Sequence, residues 1–177
     1  MLKRVKAPDK ITLHCNFEDD DDIPDFLAEL NDTAIEPGLL TRTMFRHMQP
    51  FEKCTPMALR AVTLEGVTLR YCVGSYCKVI DFTKVQKLSI CHCKSSDGLL
   101  AALCHSTRLP EKLDKFEFKN DDDDDECEVT SALDTFLCLV SGIKSLTLDV
   151  CATKRLPTAM AIVRHAKTLE ILNAHAW

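Results

Sequence analysis

A nine-residue frame that recurs along the chain limits what it can fold into. Ile143-Lys144-Ser145-Leu146-Thr147-Leu148-Asp149-Val150-Cys151 has apolar residues in slots one, four and six and a thiol in slot nine. Val85, Leu88, Ile90 and Cys93 fill the same slots. Leu59/Val62/Leu64, Leu113/Phe116/Phe118 and, more weakly, Leu169/Leu172/Ala174 fill the first three. The frames start at 59, 85, 113, 143 and 169, in steps of 26, 28, 30 and 26 residues. A weaker sixth frame has Pro8 in its first slot and then Ile11, Leu13 and Asn16. Self-similarity at a period of roughly 20–50 residues marks a stack of small units, each too small to bury its own apolar face.

Slots four and six are two residues apart and point to one face of a strand. The residues between them, Thr63, Ser89, Glu117 and Thr147, point the other way and are polar. Copies stacked side by side in a parallel sheet bury their apolar faces together. In slot nine a small polar or thiol side chain lies against the backbone of the following turn. Slots three, five and seven then form rows across the opposite face, with strands about 4.8 Å apart. They are Ala61, Thr63 and Glu65; Lys87, Ser89 and Cys91; Lys115, Glu117 and Lys119; Ser145, Thr147 and Asp149; and Asn173 and His175.

Between the strands the pattern turns helical. The spacing predicts short helices over 96–105, 129–140 and 157–165, with Gly142 closing the second and Pro157 near the start of the third. The return from Gly66 to Lys84 reads as extended or weakly helical. Residues 10–15 read as a strand, 23–30 as a helix capped by Asp22, and 40–48 as a second helix. No clean frame falls between 8 and 59. The chain therefore reads as one repeat domain over 1–177, with an irregular first repeat over 7–58 and regular repeats from 59 onward. It stops at Trp177, in slot nine of the last frame, with no polar closing element. That reads as a fragment of a longer protein, or as an end covered by a partner.

The net charge of −5 is unevenly spread. Residues 18–22 and 121–126 hold 11 of the 27 acids, leaving 16 against 22 lysines and arginines in a mildly basic body. Such runs repel themselves and stay solvated, and neither contains the glycine that a calcium loop needs. No apolar run is long enough to span a membrane and no secretory leader is visible. Ten cysteines without paired spacing read as free thiols in a reducing compartment, cytoplasm or nucleus.

Cys91-His92-Cys93, with Cys104-His105 nearby, is the most metal-like grouping. On a continuous strand Cys91 and Cys93 would share a face and His92 would oppose them. The frame instead makes Cys91 a sheet-surface residue and Cys93 the turn residue, so no metal site is assigned. No phosphate-cradling glycine loop and no local nucleophile signature occur. The sheet lysines are too diluted by acids, and too short of aromatics, for a nucleic-acid surface. The chain reads as a non-enzyme without cofactors.

The stretches LRAVTLEGVTLRYC, FLCLVSGIKSLTLDV and LPTAMAIVRHAKTLEILNAHAW, within residues 55–177, resemble the degenerate leucine-rich-repeat regions of fungal F-box-like proteins. The expected fold is α/β: a leucine-rich-repeat-like solenoid with a parallel sheet on its concave face and short helices on its convex face. The expected function is non-catalytic binding of a protein partner through Thr63, Glu65, Lys87, Ser89, Lys115, Glu117, Lys119, Thr147, Asp149 and His175. The resemblance also implies substrate recognition beside ubiquitin-ligase subunits, although a Leu-Pro-led F-box module is not seen near the N-terminus. A third reading, from the cysteines and histidines alone, is a small metal-dependent or cysteine hydrolase.

Overall fold

The computed structural model describes residues 9–14, 55–67, 69, 73–105, 107–120, 126–150 and 156–176. Strands and helices alternate: β1 (Lys10–His14), β2 (Ala61–Glu65), α1 (Val73–Val79), a 3-10 turn (Phe82–Lys84), β3 (Lys87–Cys91), α2 (Ser96–Leu103), β4 (Lys115–Asn120), α3 (Glu126–Leu139), β5 (Ser145–Val150), α4 (Ala159–Val163) and β6 (Ile171–Ala176). The helices expected over 23–30 and 40–48, both acidic runs up to residue 125, Asn16, Cys151 and Trp177 lie outside the described residues.

The six strands form one sheet in chain order, and every pairing is parallel. The register is the one the frame sets. Ile11, Val62, Leu88, Phe116, Leu146 and Leu172 share one row, and Leu13, Leu64, Ile90, Phe118, Leu148 and Ala174 share the next. The weak frame at residue 8 is thus in step with the regular ones, and β1 pairs directly with β2 across the long irregular segment.

The strand starts repeat at the level of single atoms. The carbonyl of Asp9 accepts from the amides of both Arg60 and Ala61, and that of Arg60 from Gln86 and Lys87. Gln86 serves Asp114 and Lys115 in the same way, Asp114 serves Lys144 and Ser145, and Lys144 serves Glu170 and Ile171, all at 2.7–3.2 Å. Slot two of each frame is therefore the hinge at which one unit is stitched to the next.

All described helices lie on the side of the sheet where slots four and six point, and one core runs through them. Val62, Leu64, Leu88, Ile90, Phe116, Phe118, Leu146 and Leu148 are buried there, with Leu99, Leu100 and Leu103 of α2 and Leu133, Phe136 and Leu137 of α3. Phe116 meets Phe136 with ring centroids 5.1 Å apart, a tilted aromatic contact that ties β4 to α3. The first-slot residues Leu59, Val85, Leu113 and Ile143 are fully buried.

Helix bounds differ from the sequence expectation where capping intervenes. α4 starts at Ala159 rather than Pro157, because the Thr158 hydroxyl accepts from the Ala161 amide and so caps the helix. Thr158 is itself held by Asp134 of α3, through its amide at 2.7 Å and its hydroxyl at 2.8 Å. α3 starts at Glu126, three residues before its apolar period begins. The return after β2 holds a true helix, α1, in place of the extended or weakly helical segment expected. Gly142, between α3 and β5, has φ +81 and open space around its Cβ position, so backbone conformation, rather than crowding, calls for glycine there.

The last strand breaks the burial pattern. All six residues of β6 are exposed, with Ile171 at 52% and Leu172 at 48%. The inner strands pack against helices that precede and follow them. Among the described residues β6 has only the five-residue α4, whose Met160 and Val163 are themselves open.

Two measurements test this packing. Phe116→Ala should lose about 3–5 kcal/mol of unfolding free energy, the range for removing a buried aromatic ring. Leu172→Ala should lose less than about 1 kcal/mol, because its side chain is already half in water. Equal losses would mean that the core does not thin towards β6. His165 is 2% exposed, and its Nε2 donates to the carbonyl of Leu137, 3.1 Å away. Burial pushes the ring below its ordinary value of 6.5, more than the Leu137 contact lifts it, and Arg164 lowers it further. The neutral ring is thus favoured in the folded state. Its contribution is complete above pH 6.5 and is lost as pH falls towards the lowered folded value. Urea unfolding from pH 7.5 to 5 should steepen in pH dependence below 6.5, and the steepening should vanish in His165→Gln.

Candidate functional site

Strand alternation sends slots three, five and seven to the side away from the helices, and among the described residues no element packs there. All-parallel sheets are ordinarily covered on both faces. Here one face carries half-buried polar side chains: Thr63, Glu65, Ser89, Glu117, Lys119, Thr147 and Asp149, with Lys87, Lys115 and His175 exposed. Register sorts them into rows. Lys10, Ala61, Lys87, Lys115, Ser145 and Ile171 run across the strand starts, Thr12, Thr63, Ser89, Glu117, Thr147 and Asn173 across the middle, and His14, Glu65, Cys91, Lys119, Asp149 and His175 across the far end.

A depression of about 450 Å³ lies over β1 to β4 on this face. Seven of the ten residues expected to bind a partner line it: Thr63, Glu65, Lys87, Ser89, Lys115, Glu117 and Lys119. Thr147, Asp149 and His175 are on the same face but on β5 and β6, outside the lining. Lys10 and His92 line it too, and sequence reasoning passed over both. Lys10 occupies slot three of the weak frame, so giving that frame its register would have found it. His92 is reached only through the backbone. Its φ of +52 ends the strand's alternation, which simple period-two counting cannot foresee.

That turn also decides the cysteines. Cys91 lines the depression, whereas Cys93 is buried in the core with its Sγ donating to the Cys91 carbonyl at 3.3 Å. The two thiols do not share a face, as they would on an unbroken strand. Cys93 does what slot nine predicts: its thiol closes against the turn.

One carboxylate organises the charges. Glu117 stands between two lysines on its own strand, with Lys119 Nζ 3.1 Å from Oε1 and Lys115 Nζ 3.4 Å from Oε2. Ser89 on the neighbouring strand donates to Glu117 Oε2 at 3.4 Å. Partial burial works to raise the Glu117 carboxyl, but the hydrogen bond from Lys119 and the charges of both lysines outweigh it and hold the group below its ordinary value of 4.5. Lys119 is raised in turn, first by its hydrogen bond to Glu117. Burial pushes the Cys91 thiol up, against the hydrogen bond with Ser89, and the Glu117 carboxylate adds to the rise. Cys77 and Cys104 are also raised by burial. A nucleophilic cysteine needs a lowered pKa, and these three are shifted the other way. Among the described residues no three His, Cys, Asp or Glu stand together as metal ligands would, and no helix is long and apolar enough to cross a membrane.

Comparison with family models, curated proteins and solved structures finds no match for this chain. The site is therefore read from its own chemistry: a shallow, mixed-charge surface on a rigid sheet, rich in hydroxyls and ammonium groups.

The Glu117 arrangement has a clear titration signature. By NMR its carboxyl should titrate below 4.5, and Lys119→Gln should move it upward. The stability it supplies is present above 4.5 and is lost as pH falls through the lowered folded value. A carboxyl that titrates at or above 4.5 in the unmutated protein would remove Glu117 as the organising charge.

Proposed function

We propose that the chain is a leucine-rich-repeat-like solenoid that works as a non-catalytic protein-interaction module, with the open sheet face as its binding surface. The observation that carries this reading is a parallel sheet whose helices, among the described residues, lie on one side. Its other side holds a depression lined from four consecutive strands. A rigid sheet orders its side chains before any partner arrives, so less conformational entropy is lost on binding. The mixture of Lys, Glu, Ser and Thr suits a partner that offers both charges and backbone groups. Among the described residues, the thiols of Cys77, Cys91 and Cys104 are raised, which favours binding over cysteine chemistry at those positions.

The test fills the depression with a bulky uncharged ring. Ser89→Trp places a bulky ring at its centre, and Lys78→Trp places the same ring on α1, behind the sheet. In affinity capture from source cells with lysine cross-linking, Lys87, Lys115 and Lys119 should cross-link to captured protein. Ser89→Trp should cut the yield severalfold and Lys78→Trp should not, with thermal midpoints confirming that both variants fold. Cross-links confined to Lys78 and Lys167, or equal capture by both variants, would move the binding surface away from the sheet.

A further inference from the structure

Resting on that reading of the open face, we infer that its partner presents an acidic, extended polypeptide segment, which lies across the strand starts over Lys10, Lys87 and Lys115. The inference comes from charges that the fold leaves unbalanced. Four lysines line the depression, Lys10, Lys87, Lys115 and Lys119, against two carboxylates, Glu65 and Glu117. Glu117 serves two lysines at once, Lys115 and Lys119. Lys10 and Lys87 make no ion pair among the described residues, and both are exposed. Lys87 is moreover in direct register with Lys115 on the adjacent strand. Like charges directly opposite one another oppose sheet formation. The sheet carries that repulsion at the rim of its own depression, where a carboxylate-bearing ligand would relieve it.

The arrangement also selects among anions. The acids lie towards the middle and far end of the strands, at Glu117, Glu65 and Asp149, and the unbalanced lysines at the near end. A phosphate backbone laid over the whole depression would meet Glu117 and Glu65. No Phe, Tyr or Trp lines the depression to stack a base, and His92 at its far end is the one aromatic ring among the lining residues. A short acidic segment crossing the near end meets Lys10, Ala61, Lys87 and Lys115, a row without a carboxylate, while Ser89 and Thr63 in the next row offer hydroxyls to its backbone. Charge complementarity of this kind fixes register and speeds encounter more than it adds affinity, so binding is expected to weaken with salt.

The experiment titrates a fluorescein-labelled octaglutamate peptide into the full chain at low ionic strength. Octaglutamine and an oligothymidylate of matched charge serve as comparison probes. Lys10→Glu/Lys87→Glu reverses the unbalanced pair. Lys78→Glu/Lys167→Glu makes the same change of net charge away from the face. Octaglutamate should bind the unmutated chain and the second variant alike, lose at least about tenfold in affinity for the first, and outcompete both comparison probes. Equal losses in both variants would reduce the effect to net charge and overturn the proposal. So would tighter binding of the oligothymidylate, or no binding of octaglutamate. If octaglutamate fails while Ser89→Trp still abolishes partner capture, the face remains a binding surface and only the acidic chemistry falls. If Ser89→Trp leaves capture unchanged, the interaction reading falls with it.

Discussion

Every strand of this protein has the same problem. Its apolar side chains occupy slots four and six, and five or six residues cannot bury them alone. Parallel stacking solves it once the strands share a register, because a slip of one residue would turn Val62, Leu88, Phe116 and Leu146 out to water. The register is fixed at the strand starts, where one carbonyl per unit accepts two amides from the next. The core, the helix layer and the open face all follow from that stitch. Because it holds side chains in rows, it also lets a charge on one strand address a charge on its neighbour.

The helix layer answers a different need. Parallel strands must be joined by crossovers, and the crossovers here are also the lid of the core. Their detail is set by local chemistry: a threonine cap held by an aspartate at α4, an aromatic contact between β4 and α3, and a buried histidine ring donating to the carbonyl of Leu137. The lid thins towards β6, where α4 is short and its apolar residues stay open.

The open face gathers charge without cancelling it. One glutamate serves two lysines, and two further lysines, Lys10 and Lys87, form no ion pair among the described residues. Isolated exposed pairs of this kind add little stability. Under the proposed binding role, their fixed pattern of like and opposite charges would select partners.

Most of the sheet was legible in the sequence. Slot periodicity alone places the strands at 61–65, 87–91, 115–120 and 145–150 to within a residue or two, because a period of two with one apolar face has few other uses. Alternation likewise places Thr63, Ser89, Glu117 and Thr147 on the face away from the helices. Other features depended on contacts between residues far apart in the chain. Periodicity carries no record of caps, so α4 begins later than the sequence suggests, directly after the capping Thr158. It carries no record of backbone handedness, so the positive φ of His92, which brings that residue to the depression, could be seen only in three dimensions, although the ninth slot of the frame already set Cys93 apart from Cys91. Nor could it tell that Leu172, apolar and in the right slot, would remain in water. Burial belongs to neighbours, and a frame read along one strand does not say how many neighbours that strand will have.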